Sequence, residues 1–334
     1  MAGRIRIGIS GWTYEGWRGA FYPPGLPRSR ELAYATARLS SLEINGTFYS
    51  LQKPSSYSAW REQAPEDFTY AVKAPRFITH VKRLRGVETP VANFFANGLF
   101  RLREKLGPIL WQLPPSLRFD PGLIEDFLAL LPKDTWAASV TAHGHDAAVD
   151  GRCELDPGAK RPLRHALEVR HESFRDPRFV PLLEKAGVAL VDADTAGKWP
   201  RFEEPTADFV YARLHGDEEL YASGYTPSAL RAWAEKLKRW TRQGRDAYVY
   251  FDNDMKVRAP HDAMALAHLL GLGPALAPSP RPRRGSRLSA ARPWAFGAAR
   301  RAGAVSARRA SGAGRRRRGS SSSPSARARR AARS

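Results

Sequence analysis

The chain has 334 residues, enough for one large domain or two ordinary ones, and a formal net charge of +21. That charge is concentrated at one end: residues 274–334 hold 17 arginines and no lysine, aspartate or glutamate, whereas residues 1–273 carry only about +4. The single cysteine, Cys153, excludes an internal disulfide, and no apolar run has the length of a signal peptide or a membrane span. We therefore predict a cytoplasmic protein without a membrane segment.

Eight short apolar or alternating runs follow one another between Ile5 and Asp252, and several of them are separated by predicted helices. In chain order they read IRIGIS, SLEIN, TYAVKA, PILWQL, HALEVR, VALVD, DFVYARLH and AYVYFD. Strands that alternate with helices pair in parallel through crossovers, and eight such units predict a closed (β/α)8 TIM barrel of the α/β class over residues 1–273. An open doubly wound sheet is the structural alternative.

Three helices between these strands have clear boundaries. The best defined is predicted from Pro227 to Gln243, with Thr226 as its N-cap, an apolar stripe on one face and Gly244 at its end. A second is predicted from Asp120 to Leu131, and a third follows Pro260 and ends before Gly271.

Alternate residues of a strand lie on opposite faces. When the predicted strands are read in this way, most of them carry apolar residues on one face and end with a polar residue on the other. The second face holds Gly8 and Ser10, Glu43 and Asn45, Ala71 and Lys73, Leu110 and Gln112, Glu168 and Arg170, Leu190 and Asp192, Arg213 and His215, and Tyr250 and Asp252. A TIM barrel is packed solid below and opens at the carboxyl ends of its strands. This order therefore predicts a functional site at the barrel mouth.

Residues 274–334 form a tail that is rich in Arg, Ala, Ser, Gly and Pro and has almost nothing apolar to bury, so we predict that it is disordered. Two interpretations remain open. The tail is either a compositional extension without a selected function, or a polycation that binds nucleic acid nonspecifically.

Several motifs of residues 5–270 resemble, in order, those of the YecE-like family, which is catalogued as a domain of unknown function. They read IGISGWTYEGWRGAFYPPGL, LEINGTFYSL, FTYAVKAPRFITHVKRL, KLGPILWQLPPSL, ALEVRHESF, TADFVYARLHG and YVYFDND. The resemblance implies a TIM-barrel fold and no established reaction. The segment 132–162 looks longer than the usual family connection, and the Arg-rich tail lies outside the pattern.

Cations at three strand ends favour an anionic ligand at the mouth, because arginine grips phosphate or carboxylate in a bidentate fork. They are Lys73, Arg170 and Arg213. The loops after strands 7 and 8 are further candidates for a phosphate site, through Gly216, Gly224, Lys256 and Arg258. The alternative is that the cations and the neighbouring glutamates neutralise one another in a structural network.

We expect Glu168 or His215 to act as general acid or base, with His171 as a further proton carrier. The other candidate substrate-binding residues are Trp12, Glu43, Asn45, His80, Asp252 and Asn253. Trp12 belongs to an aromatic loop that either stacks on a ligand ring or plugs the barrel top with its own small core. The first functional hypothesis is an enzyme acting on a phosphorylated or otherwise anionic small molecule, or on a nucleic-acid-derived substrate. The second is a noncatalytic protein that binds nucleic acid or a phosphometabolite.

A metal-dependent phosphodiesterase- or isomerase-like enzyme is a further alternative. Its ligands would come from His80, His171, His215, Glu168 and Asp192. No short spacing such as HExxH supports it, and the interspersed cations would repel a divalent ion, so we assign no metal. A Walker loop, a GxSxG motif and a Rossmann fingerprint are also missing from the sequence, which leaves the cofactor unknown.

Overall fold

The computed structural model describes residues 2–273 and places eight parallel strands in one sheet of order β1-β8-β7-β6-β5-β4-β3-β2. The strands are β1 Ile5–Ile9, β2 Ser41–Ile44, β3 Thr69–Lys73, β4 Leu106–Gln112, β5 His165–Glu168, β6 Ala189–Asp194, β7 Phe209–Leu214 and β8 Asp246–Phe251. Because β1 pairs with β8, the first and last strands are neighbours, which an open doubly wound sheet would not give. The predicted TIM-barrel fold is confirmed.

The seam between β1 and β2 closes the barrel with only a few contacts. A parallel bridge joins Ser10 to Glu43, and the Gly11 amide donates to the Glu43 carbonyl at 2.9 Å. At Gly8 the two strands approach so closely that a Cβ atom would lie 2.1 Å from the carbonyl oxygen of Ser41. Glycine is therefore required at this position for the seam to form.

Helices and short turns surround the strands in the described residues. The α-helices are α1 Glu31–Thr36, α2 Gly46–Tyr49, α3 Pro54–Glu62, α4 Glu88–Ala96, α5 Pro121–Ala129, α6 Thr135–Ala142, α7 Phe179–Ala186, α8 Pro227–Arg242 and α9 Arg258–Leu269. The Thr226 side chain accepts from the Ala229 amide and caps α8 as predicted. The third predicted helix, α9, begins two residues before Pro260, since proline is tolerated in a first turn. Within residues 2–273, no helix combines the length and apolar character needed to cross a membrane.

Two apolar layers pack on the two faces of the sheet. The outer layer joins the strands to the helices, and the inner layer fills the barrel. Inside, β3, β5 and β6 contribute alanines, and β7 and β8 contribute large aromatic rings, including Tyr211 and Tyr250 with centroids 5.0 Å apart. Small residues opposite large ones fill the interior and form a solid floor beneath the mouth.

The prediction of which β6 side chains point into the barrel is wrong. Val191 lies in the inner layer and Leu190 in the outer one, so Asp192 points away from the barrel axis. The Asp192 carboxylate accepts from Arg201 Nε at 2.7 Å and from Lys236 Nζ, on α8, at 2.5 Å. Asp192 is therefore a structural anchor between the sheet and α8 and does not belong to the mouth. The predicted disordered tail, residues 274–334, lies outside the described residues.

Candidate active site at the barrel mouth

The inner faces of six strands end in polar side chains that meet above the tyrosine floor. We use the term mouth network for Ser10, Glu43, Gln112, Glu168, Arg170, Arg213, His215 and Asp252, which are linked by hydrogen bonds or ion pairs. The floor itself supports the network, because the Tyr211 hydroxyl donates to Glu43 Oε2 at 2.6 Å. The period-two pattern thus located this charged cluster correctly at the carboxyl ends of the strands.

Arg213 is the centre of the mouth network and is fully buried. Its Nε and Nη2 donate to the two oxygens of Glu43 at 3.1 and 2.9 Å, and Nη2 also reaches Asp252 Oδ2 at 2.9 Å. Its Nη1 donates to Glu168 Oε2 at 2.9 Å and lies 3.4 Å from His215 Nε2. A guanidinium has five N–H donors, so these partners leave none for a ligand. Arg213 is an internal counter-ion, which corrects its predicted role in gripping an anion.

Arg170 is held differently. Its Nε donates to Glu168 Oε1 at 2.7 Å, and the same oxygen accepts from Gln112 Nε2 at 2.9 Å. The guanidinium stacks over the ring of Trp199, with Cζ 3.9 Å from the ring centroid. No acceptor for Arg170 Nη1 is found within residues 2–273. One edge of this arginine is therefore available to an anionic group.

The charges of the network fix the protonation states of its members. Burial would raise the pKa of Glu168, but Arg170 and Arg213 outweigh it and hold that pKa well below its usual range. The pKa of Asp252 is also lowered, because Arg213 and His215 outweigh its burial. Burial and the adjacent Arg213 lower the pKa of His215, whose Nδ1 lies 3.0 Å from Asp252 Oδ2. Near neutral pH, both carboxylates are ionised and His215 is neutral.

Asp254 is a site residue that the sequence reasoning missed. Burial and the charge of Asp252 raise its pKa to about 7. The aromatic loop holds it in place, because Trp17 Nε1 donates to the Asp254 carbonyl at 3.3 Å. The Tyr14 hydroxyl donates to the Ser10 carbonyl at 2.6 Å and interacts with the Asp254 carboxyl. A continued period-two reading of YVYFDND would have placed Asp254 on the same face as Asp252.

Lys73, at the end of β3, points into the mouth without a hydrogen-bond acceptor or a carboxylate within 4.0 Å among residues 2–273. Its Nζ lies 4.4 Å from the centroid of the Phe48 ring, and His80 meets the same ring edge-on with centroids 5.1 Å apart. Burial, Lys73 and Arg170 lower the pKa of His80 to about 4, so this ring is neutral near pH 7. Nearby, the buried Asn45 Oδ1 also has no partner within the described chain.

Comparison with known proteins identifies the family. A family model described as "Protein of unknown function DUF72" matches residues 6–285. The chain belongs to the DUF72 family. UPF0759 protein YecE of Escherichia coli O157:H7 is 31% identical over 259 residues, which cover 77% of this chain and 89% of YecE. UPF0759 protein YunF of Bacillus subtilis is 29% identical over 116 residues, which cover 33% of this chain and 40% of YunF. The resemblance found in the motifs is confirmed.

Two solved structures of DUF72 family proteins share the fold. The one from Thermotoga maritima MSB8 has a TM-score of 0.65 at 24% identity and covers 80% of this chain and 99% of its own. The one from Enterococcus faecalis V583 has a TM-score of 0.62 at 15% identity and covers 80% of this chain and 96% of its own. At these identities the likeness establishes the TIM-barrel fold and carries no information about activity.

Most of the predicted site residues of this DUF72 chain are brought together at the mouth. The residues that meet there are Glu43, Asn45, Lys73, His80, Glu168, Arg170, Arg213, His215 and Asp252. Their geometry assigns different tasks from those predicted. Glu168 accepts hydrogen bonds on both oxygens and has no proton to give near neutral pH. Of the two roles predicted for Glu168, this geometry excludes that of general acid and leaves that of general base as a prediction.

Three other predicted residues are engaged elsewhere in this DUF72 structure. His171 Nδ1 accepts from the Ser173 amide at 3.0 Å and caps the turn Glu172–Arg175. Asn253 is fully buried, and its Nδ2 donates to the Ser223 carbonyl and to Asp262, both at 2.9 Å. Trp12 packs edge-on against Trp60 of α3, with ring centroids 5.6 Å apart. All three contacts stabilise the fold, so the predicted catalytic role of His171 and the predicted ligand contacts of Asn253 and Trp12 receive no support from the geometry.

The predicted phosphate loops also use their cations internally. Lys256 Nζ donates to Glu219 Oε2 at 2.8 Å. Arg258 packs across Gly224, where an added Cβ would meet the guanidinium, and lies 3.7 Å from Asp262. Within residues 2–273, no group of three or more His, Cys, Asp or Glu side chains has the arrangement of a metal site. In the mouth network, the guanidinium of Arg213 already lies between the carboxylates.

Proposed function

We propose that this DUF72 protein is an enzyme that moves protons on a small anionic substrate at the mouth of its barrel. The observation that carries the proposal is the pair Asp252 and Asp254, two residues apart after β8. Asp252 is held ionised by Arg213, whereas the pKa of Asp254 is raised to about 7. When the surroundings of two neighbouring carboxyl groups drive their pKa values apart, the group with the raised pKa can act as an acid and the other stays charged. A group that titrates near the working pH is the better proton carrier.

In this assignment Asp254 exchanges the proton and Asp252 keeps its charge. Asp252 Oδ2 also lies 3.0 Å from His215 Nδ1. The aromatic loop fixes Asp254 through Trp17 and Tyr14, so the carboxyl is positioned before a substrate arrives. Preorganisation of this kind reduces the reorganisation needed in the transition state.

Two cations support an anionic substrate. Arg170 has a free edge at the mouth, and Lys73 has no carboxylate partner within the described residues. Phosphorylated small molecules, carboxylates and nucleic-acid fragments share the chemistry that such groups recognise. Because Arg213 already lies among Glu43, Glu168 and Asp252, a divalent cation would have to displace it, and we therefore rank the metal-dependent alternative lower.

A panel of phosphorylated and carboxylated metabolites in D₂O, followed by proton NMR, tests the proposal. We expect at least one compound to exchange a proton or to form product, with an apparent pKa near 7 in the rate profile. Asp254→Asn should lower that rate by about 10²–10⁴-fold without loss of binding. Asp126→Asn, on the exposed face of α5, is the matched control. Turnover at an unchanged rate in Asp254→Asn contradicts the proposal, and binding without turnover in any variant supports the noncatalytic alternative.

A further inference from the structure

We propose that Lys73 is a covalent nucleophile whose amine forms an imine with a carbonyl compound that carries an anionic group. This inference rests on the proposed function and narrows its substrate class. The structural reason is that the carboxylates of the mouth network are bonded to its arginines and not to Lys73. Arg213 and Arg170 together occupy the carboxylates, and Lys73 is left as an amine without an acceptor in residues 2–273.

The surroundings of Lys73 make its ammonium form less stable than it is in water. The residue is 8% exposed, so it is largely shielded from bulk water without being fully buried. Its Nζ faces the ring of Phe48 at 4.4 Å, where a charged ammonium gains far less than from a carboxylate. An ammonium that is buried without a partner loses hydration and gains little in return. A structural lysine at this position would be expected to have a hydrogen-bond acceptor, as the buried Lys105 has in the carbonyls of Arg61 and Ala64.

Every charged element around Lys73 contributes to its titration. Burial and Arg213 lower the pKa, whereas Glu43, Asp252 and Glu168 raise it, and the balance brings the pKa to about 8. His80 is neutral and adds no charge. A lysine that titrates near pH 8 holds a usable fraction of free amine at neutral pH, which is the form that attacks carbonyl carbon. Its protonated fraction still attracts an anionic substrate.

Backbone contacts fix the end of the strand that carries Lys73. The Thr47 hydroxyl donates to the Lys73 carbonyl at 2.7 Å, and Thr47 is itself buried at the start of α2. The next amide, of Ala74, donates to the Leu110 carbonyl of β4 at 2.8 Å. These contacts hold the end of β3 on both sides. A rigid strand end means that the backbone need not reorganise when the amine forms a covalent bond.

The reaction balances without an added oxidant or reductant. The neutral amine adds to the carbonyl carbon, the carbonyl oxygen takes up a proton, and the nitrogen gives one up. The resulting hydroxyl group then takes up a proton from the solvent and leaves as water, the C=N bond forms, and the nitrogen returns its remaining proton to the solvent. The products are one imine and one water molecule. The anionic group of the substrate would lie against the free edge of Arg170.

Reductive trapping on the full chain tests the proposal directly. The protein is incubated with cyanoborohydride and either pyruvate or glycolaldehyde phosphate, and the labelled lysine is located by peptide mass spectrometry. We expect Lys73 to be labelled at least tenfold faster than the exposed Lys82, with a rate that increases as pH rises through about 8. Uncharged glycolaldehyde should label Lys73 more slowly, since it lacks the anionic group.

Matched variants separate this inference from the proposed function. Lys73→Met and Lys73→Arg should both abolish the rapid labelling and leave the slow labelling of exposed lysines, and Lys82→Met should not change labelling of Lys73. If Lys73→Arg turns over a panel substrate at the wild-type rate, or if Lys73 is labelled no faster than Lys82 in folded protein, the imine is refuted and the acid–base proposal stands. Rapid labelling of Lys73 combined with turnover that is insensitive to Asp254→Asn refutes the proposed function and leaves the imine supported.

Discussion

Replacement of Arg213 by methionine tests whether the mouth network is a structural unit. Arg213 is fully buried, and it makes four hydrogen bonds to the carboxylates of Glu43, Glu168 and Asp252. Charge-assisted bonds of this kind contribute roughly 1.5–3 kcal/mol each, so their simple sum would be roughly 6–12 kcal/mol. Relaxation and proton uptake by the stranded carboxylates reduce that figure. We expect a loss of about 3–5 kcal/mol in the free energy of unfolding.

The pH dependence of the loss gives an independent check. In the wild type the pKa values of Glu168 and Asp252 are lowered, so the stability they contribute is present above their unfolded pKa and is lost as pH falls. Without Arg213, burial favours the protonated carboxyl groups, and the variant gains stability as pH falls. The difference between wild type and Arg213→Met should therefore shrink from pH 8 to pH 5.

Urea denaturation followed by circular dichroism measures both effects. Arg178→Met, which removes an exposed partner of Asp176, is the control and should change the free energy of unfolding very little. Addition of Glu43→Gln to Arg213→Met should recover part of the loss, because it removes one stranded charge. A loss no greater than in the Arg178 control, or one that grows as pH falls, would refute the description of Arg213 as a buried counter-ion.

Three further predictions concern parts of the chain outside the mouth network. Gly8→Ala should destabilise the protein by about 1–3 kcal/mol in the same urea assay, since its Cβ would collide with β2, whereas Gly16→Ala, with no atom within 4 Å, should not. Asn253→Ala should cost about 1–3 kcal/mol through two lost buried hydrogen bonds and leave imine trapping unchanged. A chain that ends at residue 273 should keep its melting temperature but lose nonspecific nucleic-acid affinity and most of its salt dependence, and a large fall in melting temperature would contradict the predicted disorder of residues 274–334.

The strands were predictable because most of them alternate clearly between apolar and polar residues. In β5 and β7 one face is apolar, and the charged residues Glu168 and Arg213 can only lie on the other. The pattern failed at β6, where Ala189, Val191 and Ala193 form one face and Leu190, Asp192 and Asp194 form the other, because period two alone does not say which of the two faces points into the barrel. Asp192 was then assigned inward because it is charged, although Lys236 of α8 supplies its partner from outside.

The pairing of the site residues was less predictable than their location. Arg213 and Glu43 are 170 residues apart, and local sequence carries no signal for which carboxylate meets which cation. The sequence left open whether the charges form a structural network or a ligand site. In the structure some of the cations belong to a network and others remain available. Arg213 is saturated by protein groups, whereas Arg170 and Lys73 are not. The role of Asp254 depended on the burial that raises its pKa, a quantity that only the folded chain provides.

This division determines which mutations can report on function. At Arg213, loss of activity and loss of stability would come together, because the same four hydrogen bonds hold the barrel mouth and set its charge. Lys73 and Asp254 are different: Lys73 makes no hydrogen bond within the described residues that its replacement would break, and the Asp254 carboxyl, with a pKa of about 7, is already partly protonated near pH 7. Lys73→Met and Asp254→Asn should therefore leave the fold largely intact, and an activity lost in these two variants can be attributed to chemistry.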